Sequence, residues 1–169
     1  TLDWHDRSLR FSPDGRHLII ARTATSIDVL DVEDDFRQVR RFDTGRTPTF
    51  STFSADGRAL ALPDGDGTAI LSWPDCLVIN RIDVPAWFGA LSADASVIAL
   101  IDAEPKGNVY VTRTGQPVWE LPTFSRAVVF APDNRSMFAA GHRPGLAALD
   151  RHVGFYVDEQ RAHWREVQH

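Results

Sequence analysis

Short apolar runs separated by Gly, Pro and Asp punctuation recur along the whole chain, a pattern of brief strands joined by tight turns. Residues 17–21, 27–32 and 37–42 form one set of three runs. Residues 59–62, 68–73 and 77–82 form a second, and 97–101, 109–112 and 118–121 a third. A fourth set is expected at 137–140, 146–149 and 154–157. Each set is preceded by a further short strand, at 8–11, 49–53, 87–91 and 126–130. Runs such as Ala59-Leu60-Ala61-Leu62 suit strands buried on both faces. Arg37-Gln38-Val39-Arg40-Arg41-Phe42 interleaves charge with apolar residues, as a solvent-facing edge strand does. The chain is expected to be all-β.

One turn recurs between the first and second strand of every set. Its copies are Phe11-Ser12-Pro13-Asp14-Gly15-Arg16, Phe53-Ser54-Ala55-Asp56-Gly57-Arg58, Leu91-Ser92-Ala93-Asp94-Ala95-Ser96 and Phe130-Ala131-Pro132-Asp133-Asn134-Arg135. The shared aspartates are spaced by 42, 38 and 39 residues, the period of a four-stranded propeller blade. Pro presets φ, Asp hydrogen-bonds the backbone two residues on, and Gly supplies positive φ. Turn chemistry thus explains Asp14, Gly15, Asp56, Gly57, Asp94, Asp133 and Asn134 without any catalytic role. Asn134 tolerates the left-handed region well. Ala95 does not, so either a changed turn or strain of about 1 kcal/mol is expected there.

This turn, following a strand that ends in Phe or Leu, resembles that of the WD-repeat β-propellers, over roughly residues 8–157. Val29-Leu30-Asp31-Val32, Leu71-Ser72-Trp73 and Ala148-Leu149-Asp150 stand where that family closes its third strand with Trp-Asp. No set carries the family's Gly-His dipeptide before its first strand, and none ends in a true Trp-Asp pair, so the chain is similar to a divergent, bacterial-type member. TolB-like and lactonase-like propellers share the same Ser-Pro-Asp-Gly turn. The resemblance implies four-stranded antiparallel blades at about 8–43, 49–84, 87–122 and 126–157, with 158–169 a C-terminal tail or short helix. Four blades of this type imply an incomplete ring, because an open arc leaves an apolar blade face at each end. Missing sequence or a second copy would complete it. The chain opens on Thr1 and is expected to be a piece of something longer.

Composition narrows the function. The chain has 169 residues with a formal net charge of −5, which disfavours a phosphate-binding surface and hence nucleic acid. Lys106 is its only lysine, an arginine bias expected of a GC-rich genome. Cys76 is the only cysteine, which favours the cytoplasm while leaving periplasm and secretion open. No apolar run reaches the roughly 18 residues of a membrane span.

Candidate chemistry is sparse. Asp64-Gly65-Asp66-Gly67 lacks the further ligands of a calcium loop and reads as an inter-strand turn. The acidic group Asp28, Asp31, Glu33, Asp34 and Asp35 reads as a solvated loop, with a cation or basic partner as the alternative. The six histidines lack metal-site spacing, and no nucleophile motif occurs. No catalytic, cofactor or metal residue is therefore assigned. Trp73 and Trp119 are expected to pack between blades. Trp87, Phe88 and Phe50 are the candidate partner-binding residues, placed near the ring's mouth. The expected function is a non-catalytic protein-interaction or scaffold module for a protein or peptide partner. The alternative is an accessory propeller, gating or substrate-recognising, within a larger hydrolase or signalling enzyme.

Overall fold

The computed structural model describes residues 9–102, 107–121, 125–134, 136–142, 152–158 and 165–167. These form four antiparallel sheets of four strands, each built in chain order. Blade 1 is β1 (Leu9–Phe11), β2 (His17–Thr23), β3 (Ser26–Asp31) and β4 (Arg37–Asp43). Blade 2 is β5 (Thr52–Phe53), β6 (Ala59–Asp64), β7 (Gly67–Ser72) and β8 (Val78–Ile82). Blade 3 is β9 (Phe88–Leu91), β10 (Val97–Ile101), β11 (Gly107–Val111) and β12 (Pro117–Glu120). Blade 4 is β13 (Ser125–Phe130), β14 (Ser136–His142), β15 (His152–Asp158) and β16 (Arg165–Val167). This is an all-β propeller arc whose ring is incomplete. No helix among the described residues is long and apolar enough to cross a membrane.

Blade 4 departs from the expected strand positions. His152–Asp158 takes the third place, pairing with β14 from Ser136↔Asp158 to His142↔His152. Residues 146–149, expected as that third strand, lie outside the described residues. Arg165–Val167 takes the fourth place and pairs with β15, inside the segment expected as a tail or short helix. A seven-residue register satisfies more ladder donors and acceptors than the four-residue run at 146–149 would.

The recurring turn is held by a buried serine as much as by its aspartate. In blade 2, Ser54 Oγ donates to Asp56 Oδ1 (2.6 Å) and accepts the Ala59 N–H (3.0 Å). Asp56 Oδ1 also accepts the Arg58 N–H at 3.0 Å. Ser12 with Asp14, and Ser92 with Asp94, repeat the arrangement. The Ser12 hydroxyl and the Arg16 amide hold the Asp14 carboxyl below its ordinary value. Burial opposes the same shift at Asp94, but the donors on Ser96 and Ser92 outweigh it. In blade 4 Ala131 stands in place of the serine, while the backbone bonds from the Ala131 N–H to the Ser136 carbonyl and from the Asn134 N–H to the Ala131 carbonyl persist. Ala95 keeps the turn, with φ of 59° against 73° at Gly15 and 70° at Gly57. Of the two outcomes expected there, a changed turn is excluded, since Ala95 adopts the same left-handed conformation as the glycines.

Three core clusters lie between successive blades. Ile19, Ile27 and Val29 of blade 1 meet Leu60, Leu62, Leu71 and Trp73 of blade 2. Ala61, Ile70 and Ile82 of blade 2 meet Leu91, Ile98 and Leu100 of blade 3. Ala99, Ile101 and Val109 of blade 3 meet Val128, Met137 and Ala139 of blade 4. Alternation along each strand sends successive side chains to opposite neighbours, so the inner strands are apolar throughout. Each fully buried Leu or Ile contributes about 1.5–3 kcal/mol. Trp73 packs edge-on against His17 (5.1 Å) and Phe53 (4.9 Å), sealing the first interface. Trp119 is half-buried against the third.

Candidate functional site

The first strand of each blade lines the inner side of the arc. Arg10, Thr52, Ala90 and Val129, from β1, β5, β9 and β13, border a cavity of about 280 Å³. Pro13, Ala55, Ala93 and Pro132, each just before a turn aspartate, close one end of it. Antiparallel pairing places the β4–β5 and β8–β9 connections at the opposite end of the blades.

The β8–β9 connection carries Trp87, whose side chain is 57% exposed. The loop beneath it is fixed from both sides. The Trp87 N–H bonds to the Ile101 carbonyl (2.7 Å), and the Ala86 N–H to that of Val84 (2.9 Å). Arg46 Nη2 and Thr49 Oγ1, from the β4–β5 connection, both donate to the Ala86 carbonyl, at 2.9 and 3.1 Å. Ala86 itself is fully buried. An exposed indole on a fixed backbone has little ordering entropy left to lose on binding.

The three candidate aromatics separate. Phe88 is half-buried, lines the cavity and packs against the core between blades 3 and 4. Phe50 is buried between blades 2 and 3, so it is a packing residue and offers no surface to a partner. Phe50 and Phe88 stand six residues before Asp56 and Asp94, whereas Trp87 stands seven before, and one residue reverses the face in a strand. Arg46 and Thr49 are the residues the sequence reading missed. Their signal would have been a polar connection, Thr44-Gly45-Arg46-Thr47-Pro48-Thr49, one repeat before the Trp87 loop.

The acidic group is largely resolved into local pairs. Asp28 is buried and receives Arg41 Nε (2.7 Å) and Nη2 (3.1 Å). This bond to Asp28 raises the Arg41 pKa. Glu33 pairs with Arg16 at 3.3 Å, Asp34 pairs with Arg37, and Asp31 caps the amides of Glu33 and Asp34. Asp64-Gly65-Asp66-Gly67 is a two-residue hairpin, with Asp64 3.3 Å from Arg81. His142 and His152 fall opposite one another in the β14–β15 register. Burial pushes the Cys76 thiol up, away from the nucleophilic thiolate. Among the described residues, no group of three or more His, Cys, Asp or Glu could hold a metal ion.

No family model and no curated protein sequence matches the chain. Solved structures do. The Kuenenia stuttgartiensis hydrazine synthase is similar at 17% identity and a TM-score of 0.76, over 99% of this chain and 51% of that one. The β-propeller domain of Myceliophteria thermophila Cps50 (Swd1) is similar at 15% identity and 0.74, over 95% and 54%. The WD40 repeats of RRP9 are similar at 15% identity and 0.76, over 97% and 51%. The chain therefore spans about half the length of the structures it matches. At these identities the likeness speaks to fold alone, and the fold it shows is a β-propeller of four-stranded antiparallel blades.

Proposed function

We propose that the arc is a non-catalytic protein-interaction module that receives a protein or peptide at the blade end bearing Trp87. The observation that carries this reading is the exposed Trp87 side chain on a loop anchored by Arg46, Thr49 and Ile101. Most of the energy of a protein interface comes from a few such aromatic anchors. The likeness to WD40 propellers supports the same reading by analogy of fold. A divergent bacterial repeat suits the loss of the Trp-Asp and Gly-His signatures, and a reducing cytoplasm suits one half-buried free thiol.

Peptides selected on the chain from a displayed random library provide the test. Trp87→Ala is expected to weaken their binding at least tenfold, while Val78→Ala on the outer rim of blade 2 leaves it unchanged. Equal binding by the Trp87 variant would overturn the assignment.

A further inference from the structure

The faces at the two ends of the arc are built like the interfaces inside it. Four residues after the turn aspartates stand Leu18, Leu60, Ile98 and Met137. The last three are buried in the clusters shared with the preceding blade. Three residues before the aspartates stand Phe11, Phe53, Leu91 and Phe130, and again the last three pack against the preceding blade. Phe11 is 58% exposed, and Leu9, on the same face of β1, is 60% exposed. Blade 1 therefore keeps the apolar set that blades 2, 3 and 4 use to dock backwards.

Blade 4 keeps the other half. Five residues after the aspartates stand Ile19, Ala61, Ala99 and Phe138. The first three are fully buried toward the following blade, and Phe138 is 45% exposed. Val129, directly opposite Phe138 in the β13–β14 register, is 60% exposed. The polar groups agree as well. Arg81 pairs with Asp64 on the side of blade 2 that meets blade 1, and Arg41 pairs with Asp28 on the corresponding side of blade 1. An arginine–carboxylate pair on that side is thus already compatible with blade-on-blade packing.

We propose that a second copy of this chain closes the ring, with blade 4 of each copy packed on blade 1 of the other. Three internal contacts show that a forward face and a backward face fit each other. A twofold axis along the channel would make both missing contacts at once, leaving no end face in water. The size agrees, since one copy matches 51–54% of each propeller it resembles, so two copies make about one ring.

Light scattering of the 169-residue chain is expected to give about twice its 18.9 kDa. Phe11→Asp and Phe138→Asp should each give a monomer that retains its β circular dichroism. Mixing those two variants should restore a dimer at raised concentration, because each supplies the face that the other lacks. Leu77→Asp, on the outer rim, should stay dimeric. A monomeric wild type that binds a hydrophobic dye would overturn the proposal and assign the end faces to blades outside this sequence. A dimer that survives Phe11→Asp, or variants that do not complement, would overturn it by placing the contact elsewhere.

Discussion

The ring of Phe50 occupies the space that a side chain at Gly89 would need: a Cβ built there would lie 2.5 Å from Phe50 Cε2. Blade 2 thus reaches into the first strand of blade 3 through a gap only glycine leaves open. Gly89→Ala should cost about 1–3 kcal/mol by overpacking, read from urea unfolding. Phe50→Leu should itself destabilise, yet the double variant should lose less than the sum of the two. Additive losses would show that the two sites do not share this space.

Trp73 and Trp87 make a matched pair for separating packing from recognition. Trp73→Ala empties the seam between blades 1 and 2 and should cost about 3–5 kcal/mol. Trp87→Ala removes an exposed indole and should shift stability by less than about 0.5 kcal/mol. Thermal melts of both variants check the contrast, and a large loss at Trp87 would mean that the side chain supports its loop.

Ala95 holds a conformation suited to glycine, with φ of 59°. Ala95→Gly should stabilise the chain by about 0.5–1 kcal/mol, the relief of left-handed strain less the greater freedom of glycine when unfolded. The packing of the lost methyl against the blade 2–3 core sets the lower end of that range. An unchanged or lower denaturation midpoint would count against the strain.

Ser54 is the buried hub of its turn. Ser54→Ala should cost about 1–2 kcal/mol, because the Ala59 N–H loses its acceptor in a buried place. Blade 4 already lacks this hydroxyl, so Ala131→Ser should raise stability. A neutral Ser54→Ala would return the turn to its backbone bonds alone.

Acid should loosen the same turns. The Asp14 and Asp94 carboxyls are held below their ordinary value of 3.8. The unfolded chain therefore binds protons first, and the stabilisation is present above that value. It is lost as pH falls from 3.8 through the lower folded values. Urea midpoints at pH 7 and pH 3 should converge for the double variant Asp14→Asn, Asp94→Asn more than for the parent chain. An undiminished gap would point to other carboxylates.

The propeller was legible because one turn, with its strict chemistry, recurs four times at blade spacing. Less legible was what each residue does across a blade boundary. Ser12, Ser54 and Ser92 look like ordinary turn serines until their neighbours are placed, since only the fold shows that they are buried. The acidic group around Asp28 looked solvated because Arg41, its partner, lies 13 residues away across a strand pair. Trp87, Phe88 and Phe50 stand at comparable positions before their turns, yet the repeat aligns Phe50 with Phe88 and sets Trp87 one residue earlier. The apolar run at 146–149 has the composition of a third strand, but the described strand that pairs with β14 is His152–Asp158, a longer register that composition alone does not mark.

Every core cluster among the described residues joins two successive blades, and this sets how the molecule comes apart. Cooperativity passes from neighbour to neighbour, as in a line of coupled units, so blades 2 and 3 are each braced twice and blades 1 and 4 once. In the monomeric Phe11→Asp variant, opening should therefore begin as fraying of the outer blades, and the amides slowest to exchange with deuterium should cluster in β6, β7 and β10. Whatever covers the end faces would erase that gradient and make the four blades protect one another alike.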